Sequence, residues 1–131
     1  MSTIIWIDAS FAIEWLLATD RAKTVTLPSS DLYILSAQYA EILVYFHKRL
    51  DDLAPVTREL KMLELYQPDR SILESASIRY VDAKRTSKKI SLSDAILAAA
   101  AQKTKAPIAT FDHDFITLGF TQRGDGLMVP S

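Results

Sequence analysis

Five acidic residues stand where carboxylates often do chemistry. Asp8 directly follows a short apolar run, and Asp94 opens an alanine-rich segment of helical composition. Glu41 lies in an otherwise apolar stretch, where burial of a charge is costly unless the group is paired or binds a metal. Asp112 and Asp114 form a D-x-D pair after another apolar run. Because hard cations prefer oxygen ligands, these five side chains are candidate metal ligands.

Each acid also has a purely structural interpretation. Asp8 suits a turn or cap at a strand-to-helix junction, and Glu41 can face water. Ser91 and Asp94 have the spacing of a capping box. A D-x-D pair is also ordinary in a turn. These alternatives stay open for each residue taken alone.

Three other ionisable residues are weaker candidates. Glu14 is surrounded by apolar residues, and we expect it to face solvent or a subunit contact. His47 and His113 lie far apart in the chain, and we interpret both as structural or surface groups. The sequence therefore predicts a site made of carboxylates.

Short apolar runs alternate with helical segments along the chain. The runs predict strands at 3–7, 32–35, 107–110 and 127–129, the last at a sheet edge. Helical patterns cover 11–18, 36–50, 55–66, 72–86 and 92–105, with serines as caps at Ser10, Ser36 and either Ser91 or Ser93. Alternating strands and helices predict an α/β domain with a mostly parallel sheet. Functional groups in such sheets lie at the carboxyl ends of the strands, where Asp8 and Asp112 are expected.

The composition limits the class of protein. The chain has 131 residues, which suits a single domain over 1–131, and it has no cysteine. The interrupted apolar start fits neither a signal peptide nor a membrane span, so we expect a cytoplasmic protein. The formal net charge is −1, which argues against a globally basic nucleic-acid binder. Without Asp8, Glu41, Asp94 and Asp112 the balance becomes −1 + 4 = +3, which is mildly basic.

Three segments, taken in order, resemble the PIN-domain family, and among its members most resemble the VapC-type toxins. IDASFAIEWLL is similar to the opening strand and its Asp-x-Ser/Thr motif. AEILVYFHKRL is similar to the helix that carries a glutamate. SLSDAILAAAAQKTKAPIATFDHDF is similar to the closing segment and is the most specific of the three. The resemblance covers nearly the whole chain.

The resemblance implies a three-layer α/β/α fold and metal-dependent hydrolysis of RNA by one or two Mg²⁺ or Mn²⁺ ions. It implies an acidic cluster of Asp8, Glu41, Asp94 and Asp112. We expect Asp8 and Asp94 to be the principal ligands, with Glu41 and Asp112 completing the site. Asp114 competes with Asp112 for the final ligand position. Supporting hydroxyl groups are implied at Ser10 and Thr110. VapC-type members also form homodimers and are inhibited by an antitoxin protein. The expected partners are therefore a second copy of this chain and an antitoxin.

RNA needs a cationic surface as well as a metal site. A basic stretch leads into the Asp94 segment and contains Lys84, Arg85, Lys88 and Lys89. One interpretation is a phosphate track that makes RNA binding sensitive to salt. The other is a solvated helix end, and the sequence favours neither.

The main alternative function is a catalytically silent PIN-like scaffold that binds RNA or protein. Retention of every cluster acid weighs against it. An aspartyl phosphatase would need D-x-D after the first strand, where Ala9 and Ser10 follow Asp8. The chain also has no G-x-x-x-x-G-K motif for nucleotide phosphates.

Overall fold

A computed structural model describes residues 4–25, 27, 31–87 and 89–131. Helices and short strands alternate along the chain. The strands are β1 (Ile4–Ile7), β2 (Asp31–Leu35), β3 (Glu64–Tyr66), β4 (Ile108–Ala109), β5 (Phe120–Gln122) and β6 (Met128–Pro130). The helices are α1 (Ala9–Leu16), α2 (Asp20–Lys23), α3 (Ser36–His47), α4 (Ala54–Leu60), α5 (Arg70–Lys84) and α6 (Leu92–Thr104). A 3-10 turn covers His113–Ile116.

The strands form one six-stranded sheet in the order β3-β2-β1-β4-β6-β5. The pairs β1–β2, β1–β4 and β2–β3 are parallel, whereas β6 is antiparallel to both β4 and β5. The predicted mostly parallel sheet is therefore confirmed. Strand β1 lies between β2 and β4 and is parallel to both. The carboxyl ends of these three strands meet at one edge, where such sheets form their binding crevice.

Helices cover both faces of the sheet because side chains alternate along each strand. Ile5 and Ile7 of β1 pack with residues of α1, α3 and α4. Trp6, between them, packs on the other face with residues of α5 and α6. The Trp6 indole is fully buried, and its N–H donates to the Thr104 hydroxyl at 2.9 Å. The predicted α/β/α layering is therefore confirmed.

Helix α6 packs closely against its surroundings because its residues are small. Positions 97–101 are all buried, and four of them are alanine. Helix α5 is its main helical neighbour, and Ala76 and Ala83 of α5 are buried in the same core. The predicted burial of the alanine run is confirmed. No helix among the described residues is both long and apolar enough to cross a membrane.

Several predicted boundaries were wrong. The segment predicted as one helix over 55–66 ends at Leu60 and is followed by β3. Strand β6 was predicted at the edge, but β5, which the sequence pattern missed, occupies that position. Both missed strands have three residues, too few for a period-two pattern to be distinguished. Helix α2 was also missed, and α3 ends at His47 rather than near residue 50.

Two predicted caps were also wrong. Helix α1 begins after Asp8, whose carboxylate accepts from the Phe11 N–H, and Ser10 lies inside the helix. Helix α3 has Leu35 at its N-cap, with no side-chain cap bond. For α6 the structure selects Ser91, whose hydroxyl accepts from the Asp94 N–H at 3.0 Å. Carboxylates are as good as hydroxyls as N-caps, so the serine pattern could not decide between them.

Ala98 tests how tightly α6 is packed. We expect Ala98→Leu to lower the free energy of unfolding by about 1–3 kcal/mol, because added methylene groups in a full core force neighbours apart. Urea unfolding followed by circular dichroism measures this change. The matched control is Ala40→Leu on the exposed side of α3, which should change stability little. Equal effects at the two positions would contradict the packing argument.

Candidate active site

Asp8 is the most deeply buried acid of the candidate site. It ends β1, is 2% exposed, and its carboxylate accepts hydrogen bonds from three groups. These are the Ser10 hydroxyl, the Phe11 N–H and the Thr110 hydroxyl. Burial raises the pKa of Asp8 to about 7, against the lowering effect of these bonds, and repulsion from Asp94 raises it further. Each of its two oxygens accepts from two of these contacts, because the Ser10 hydroxyl contacts both.

Asp94 is the acid that interacts with all the other members of the cluster. It lies in the first turn of α6. Burial raises its pKa to about 6, and repulsion from Asp112 and Glu41 adds to this effect. A hydrogen bond from Gln38 opposes the rise. Because Asp94 also raises the pKa of Asp8, the four predicted acids form one electrostatic cluster.

Glu41 and Asp112 flank Asp94. Glu41 is exposed on α3, yet partial desolvation raises the pKa of its carboxyl, with a hydrogen bond from Ser93 opposing. Asp112 follows β4 and caps the 3-10 turn by accepting from the Asp114 N–H at 2.9 Å. The structure therefore brings Asp8, Glu41, Asp94 and Asp112 to the carboxyl edge of the sheet.

Asp114 lies beside Asp112, whose carboxylate accepts from the Asp114 N–H. Desolvation raises the pKa of Asp114, and repulsion from Asp112 adds to this effect. Lys89 opposes the rise. The choice between Asp112 and Asp114 as the final ligand stays a prediction.

The predicted supporting hydroxyl groups, those of Ser10 and Thr110, connect residues 8–10 with residues 110–112. The Ser10 hydroxyl donates to both Asp8 oxygens at 2.8 and 3.0 Å and accepts from the Phe111 N–H at 3.2 Å. The Thr110 hydroxyl donates to Asp8 and accepts from the Asp112 N–H at 2.9 Å. Asp8 and Asp112 are thus held in one hydrogen-bonded network.

Gln38 belongs to the site and was missed from the sequence. Its side chain is buried, with 1% exposure. Its amide oxygen accepts from the Ala9 N–H at 2.7 Å, and its amide nitrogen donates to Ser93 at 2.8 Å and Asp94 at 3.3 Å. Gln38 therefore ties α1, α3 and α6 together. The available signal was its position one helical turn before Glu41, on the same face of α3.

Among the described residues of the basic stretch, Arg85 and Lys89 are exposed and Lys84 is partly buried. Arg85 forms a 3.6 Å ion pair with Asp82, and Lys84 lies 5.5 Å from the centre of the Tyr80 ring. Lys89 is exposed and close enough to Asp114 to lower its pKa. Lys88, also predicted to bind RNA, lies outside the described residues.

Glu14, the weaker candidate, does not join the cluster. Its carboxylate pairs with the Arg21 guanidinium and also accepts from the Thr19 hydroxyl at 3.0 Å. The bond with Arg21 lowers the pKa of Glu14. Its predicted exposure to solvent is only partial.

The donor set suits a hard divalent cation because it consists of carboxylate oxygens. Among the described residues, however, no three Asp, Glu or His side chains lie close enough together to hold one ion directly. Mg²⁺ retains several waters in proteins, so two direct carboxylates and water-mediated contacts from the others are sufficient. The assignment of individual ligands stays a prediction.

The model for the PIN domain matches residues 5–120, which is most of the chain and includes every acid of the cluster. The chain belongs to the PIN domain family. This confirms the family resemblance identified from the three sequence segments. A search of curated proteins found no significant match.

Solved PIN-fold structures are similar to this PIN domain over most of its length. VapC20 from Mycobacterium tuberculosis, a sarcin-ricin loop cleaving toxin, is 20% identical with a TM-score of 0.70, covering 91% of this chain and 98% of its own. A toxin–antitoxin complex from Klebsiella pneumoniae gives 21% identity, a TM-score of 0.68 and coverages of 85% and 89%. VapBC-1 from nontypeable Haemophilus influenzae gives 17%, 0.69, and 88% and 92%. At these identities the likeness establishes the fold alone.

The raised pKa values predict how stability depends on pH when no metal is bound. Asp8 and Asp94 titrate near 7 and near 6 in the fold, above their ordinary value of 3.8. Between pH 3.8 and about pH 7, the unfolded chain therefore binds fewer protons than the folded protein. The free energy of unfolding falls as the pH rises through this range. For each group, a difference of one unit between the folded and unfolded pKa values corresponds to about 1.4 kcal/mol of stability.

We expect Asp8→Asn to flatten this dependence and to raise stability in EDTA above about pH 7, because asparagine keeps the cap without the buried charge. Urea unfolding at several pH values measures both effects. Asp82→Asn, at an exposed position on α5, is the matched control and should leave the pH profile unchanged. A variant at Asp8 that retains the wild-type profile would show that this carboxyl does not titrate as argued.

Proposed function

We propose that this PIN domain protein is a ribonuclease that hydrolyses RNA phosphodiester bonds with Mg²⁺ or Mn²⁺, and that it is the toxin of a type II toxin–antitoxin pair. The observation that carries the proposal is the gathering of four carboxylates around Asp94 at the carboxyl edge of the sheet, where burial first and mutual repulsion second raise the pKa of Asp94. Membership of the PIN domain family supports it independently. Repelling acids at a binding edge are typical of a cation site.

Asp8 and Asp94 are the proposed principal ligands. A divalent cation bound there would neutralise the phosphate, acidify a water molecule and stabilise the leaving oxygen. The hydroxyl groups of Ser10 and Thr110 hold the Asp8 carboxylate in one orientation. Gln38 restrains Asp94 through its amide nitrogen. The two carboxylates are therefore preorganised by groups from distant parts of the chain.

Glu41 is assigned to orient the attacking water and to accept its proton. It is the exposed acid of the cluster, so water and substrate reach it from solvent. The rise in its pKa brings this carboxyl nearer to the working pH, which favours a general base. Asp112 is assigned to complete the metal site because it interacts with Asp94.

The cluster variants test the nuclease proposal. We expect Asp8→Asn and Asp94→Asn to abolish cleavage of a fluorescent single-stranded RNA in Mn²⁺ or Mg²⁺, because each removes a proposed principal ligand. Wild-type cleavage should stop in EDTA and return with added Mn²⁺. Asp51→Asn, which makes the same change at an exposed position between α3 and α4, should cleave at the wild-type rate.

The outcomes separate the proposal from its alternative. Undiminished cleavage by either cluster variant would refute the assignment. RNA binding by a well-folded wild-type protein that cleaves in neither metal would identify a silent scaffold instead. Growth arrest on induction of the wild type, absent for Asp94→Asn, is the expected result for a toxin.

The final ligand position separates Asp112 from Asp114. We expect Asp112→Asn to abolish cleavage, whereas Asp114→Asn should lower it by about 10–100-fold at most, as for a group that acts through a ligand. Asp112 is favoured because its charge raises the pKa of Asp94, whereas Asp114 is proposed to act through Asp112. Initial rates at saturating Mn²⁺ measure the difference. The reverse order of effects would assign the ligand to Asp114.

The partners belong to the same proposal. The antitoxin is supported by two solved neighbours of the same fold, a toxin–antitoxin complex and VapBC-1. A homodimer is supported by apolar side chains on α5, where Leu73, Ile78 and Val81 are 45%, 65% and 55% exposed. The RNA track is assigned to Lys84, Arg85, Lys88 and Lys89.

A further inference from the structure

A pocket of about 350 Å³ adjoins the acidic cluster. It lies between α2, the segment that follows β4 and the turn that joins β5 to β6. Thr110 lines it and also donates to Asp8, so the pocket shares a wall with the site already described. The remaining wall is mixed, with Arg21, Phe111 and His113 on one side and Gln122, Gly124, Asp125 and Gly126 on the other.

Arg21 is the fixed cation of this pocket. Its Nε donates to both Glu14 oxygens at 3.1 Å, and its Nη2 also donates to Glu14. Its Nη1 donates to none of the described residues. One edge of the guanidinium is therefore held by a carboxylate, while the other edge has donors available to a ligand.

An aromatic stack holds the Arg21 guanidinium beside the site. The guanidinium carbon lies 4.2 Å from the centre of the Phe111 ring. Phe111 in turn stacks on the buried ring of Phe11, with 5.3 Å between the ring centres. Because Phe111 stands between Thr110 and Asp112 in the chain, the cation is positioned relative to the acids themselves.

This arrangement favours a phosphate. A planar guanidinium matches phosphate oxygens with two parallel donors, and a guanidinium that is already ordered loses less entropy on binding. The exposed side chains of His113 and Gln122 line the same pocket and form no hydrogen bond with described residues. The pocket volume falls within the range of small-ligand sites.

We propose that this pocket is the subsite for the RNA nucleotide next to the scissile phosphate, with Arg21 binding its phosphate and Glu14 acting as the positioning residue for Arg21. The assignment rests on the proposed ribonuclease function, because it takes the acidic cluster as the place of cleavage. It adds a cationic contact on the side of the cluster formed by Thr110 and Phe111.

The primary test compares Arg21→Gln with Arg49→Gln. Arg49 is a matched control because it is also exposed and lies over an aromatic ring, 3.6 Å from the centre of Tyr45, but does not line the pocket. The probe is a fluorescein-labelled single-stranded RNA of mixed sequence, titrated in EDTA and followed by anisotropy.

We expect Arg21→Gln to weaken binding of this probe about tenfold, the scale of a lost charge-assisted contact. The slope of log K against log salt should fall by about 0.7, as expected for one phosphate contact on a single strand. Arg49→Gln should change neither quantity.

Two further variants separate contact from positioning. Arg21→Lys keeps the charge but loses the two parallel donors of the guanidinium, so its affinity for RNA should lie between those of the wild type and Arg21→Gln. Glu14→Gln leaves Arg21 in place but loosens it, so it should raise the KM for RNA cleavage while kcat and the melting temperature change little. A fall in kcat equal to the rise in KM would indicate a structural role instead.

Each outcome decides the assignment. Equal losses for Arg21→Gln and Arg49→Gln, unchanged binding by Arg21→Gln, or no RNA binding by the wild type would overturn the subsite. Normal RNA binding with loss of a protein partner would make the pocket a protein-docking surface and would also overturn it. RNA binding that depends on Arg21, without cleavage in any metal, would keep Arg21 as a contact to RNA phosphate and would refute the proposed ribonuclease.

Discussion

The burial of neighbouring carboxylates at one sheet edge is the constraint on which the rest of the site depends. Asp8 is almost completely buried, and its desolvation is only partly compensated by three hydrogen bonds. Asp94 is pushed in the same direction by its burial and by two acidic neighbours. Buried charges of one sign are tolerated when a partner of the opposite sign is supplied, here by a divalent ion in the proposed function.

Two polar bridges keep this unfavourable arrangement in place. Thr110 joins Asp8 to the backbone of Asp112, and Gln38 joins Ala9 to Asp94. Neither bridge carries a positive charge, so both hold the acids in position and leave their negative charge to the cation of the proposed function. Such preorganisation is what a metal site requires, because ligands that are already placed need not reorganise on binding.

The sheet topology explains why these bridges exist. Strand β1 lies between β2 and β4, so the segments after three parallel strands begin at one edge. Asp8 follows the first strand, α3 with Gln38 and Glu41 follows the second, and Thr110 and Asp112 follow the third. The stack of Phe11, Phe111 and Arg21 uses the same edge, which puts a fixed cation beside the fixed acids.

Local sequence determined the parts of this protein that depend on neighbouring residues. The apolar runs predicted β1, β2 and β4, and the alanine run predicted a buried helix α6 next to Asp94. Their alternation predicted a parallel sheet and therefore a shared edge for Asp8 and Asp112. These inferences succeeded because strand and helix periodicity is a property of a few consecutive residues.

Tertiary structure alone decided the remainder. Strands β3 and β5 have three residues each and exist because a neighbouring strand pairs with them, not because of their own pattern. Gln38 reads as an ordinary helix residue until the fold buries its amide between α1 and α6. Arg21 could not be identified as a pocket residue from the sequence, because its contact with Phe111, ninety positions later, forms only in the folded chain. Contacts between residues so far apart depend on the packing of the whole sheet, which no short stretch of sequence encodes.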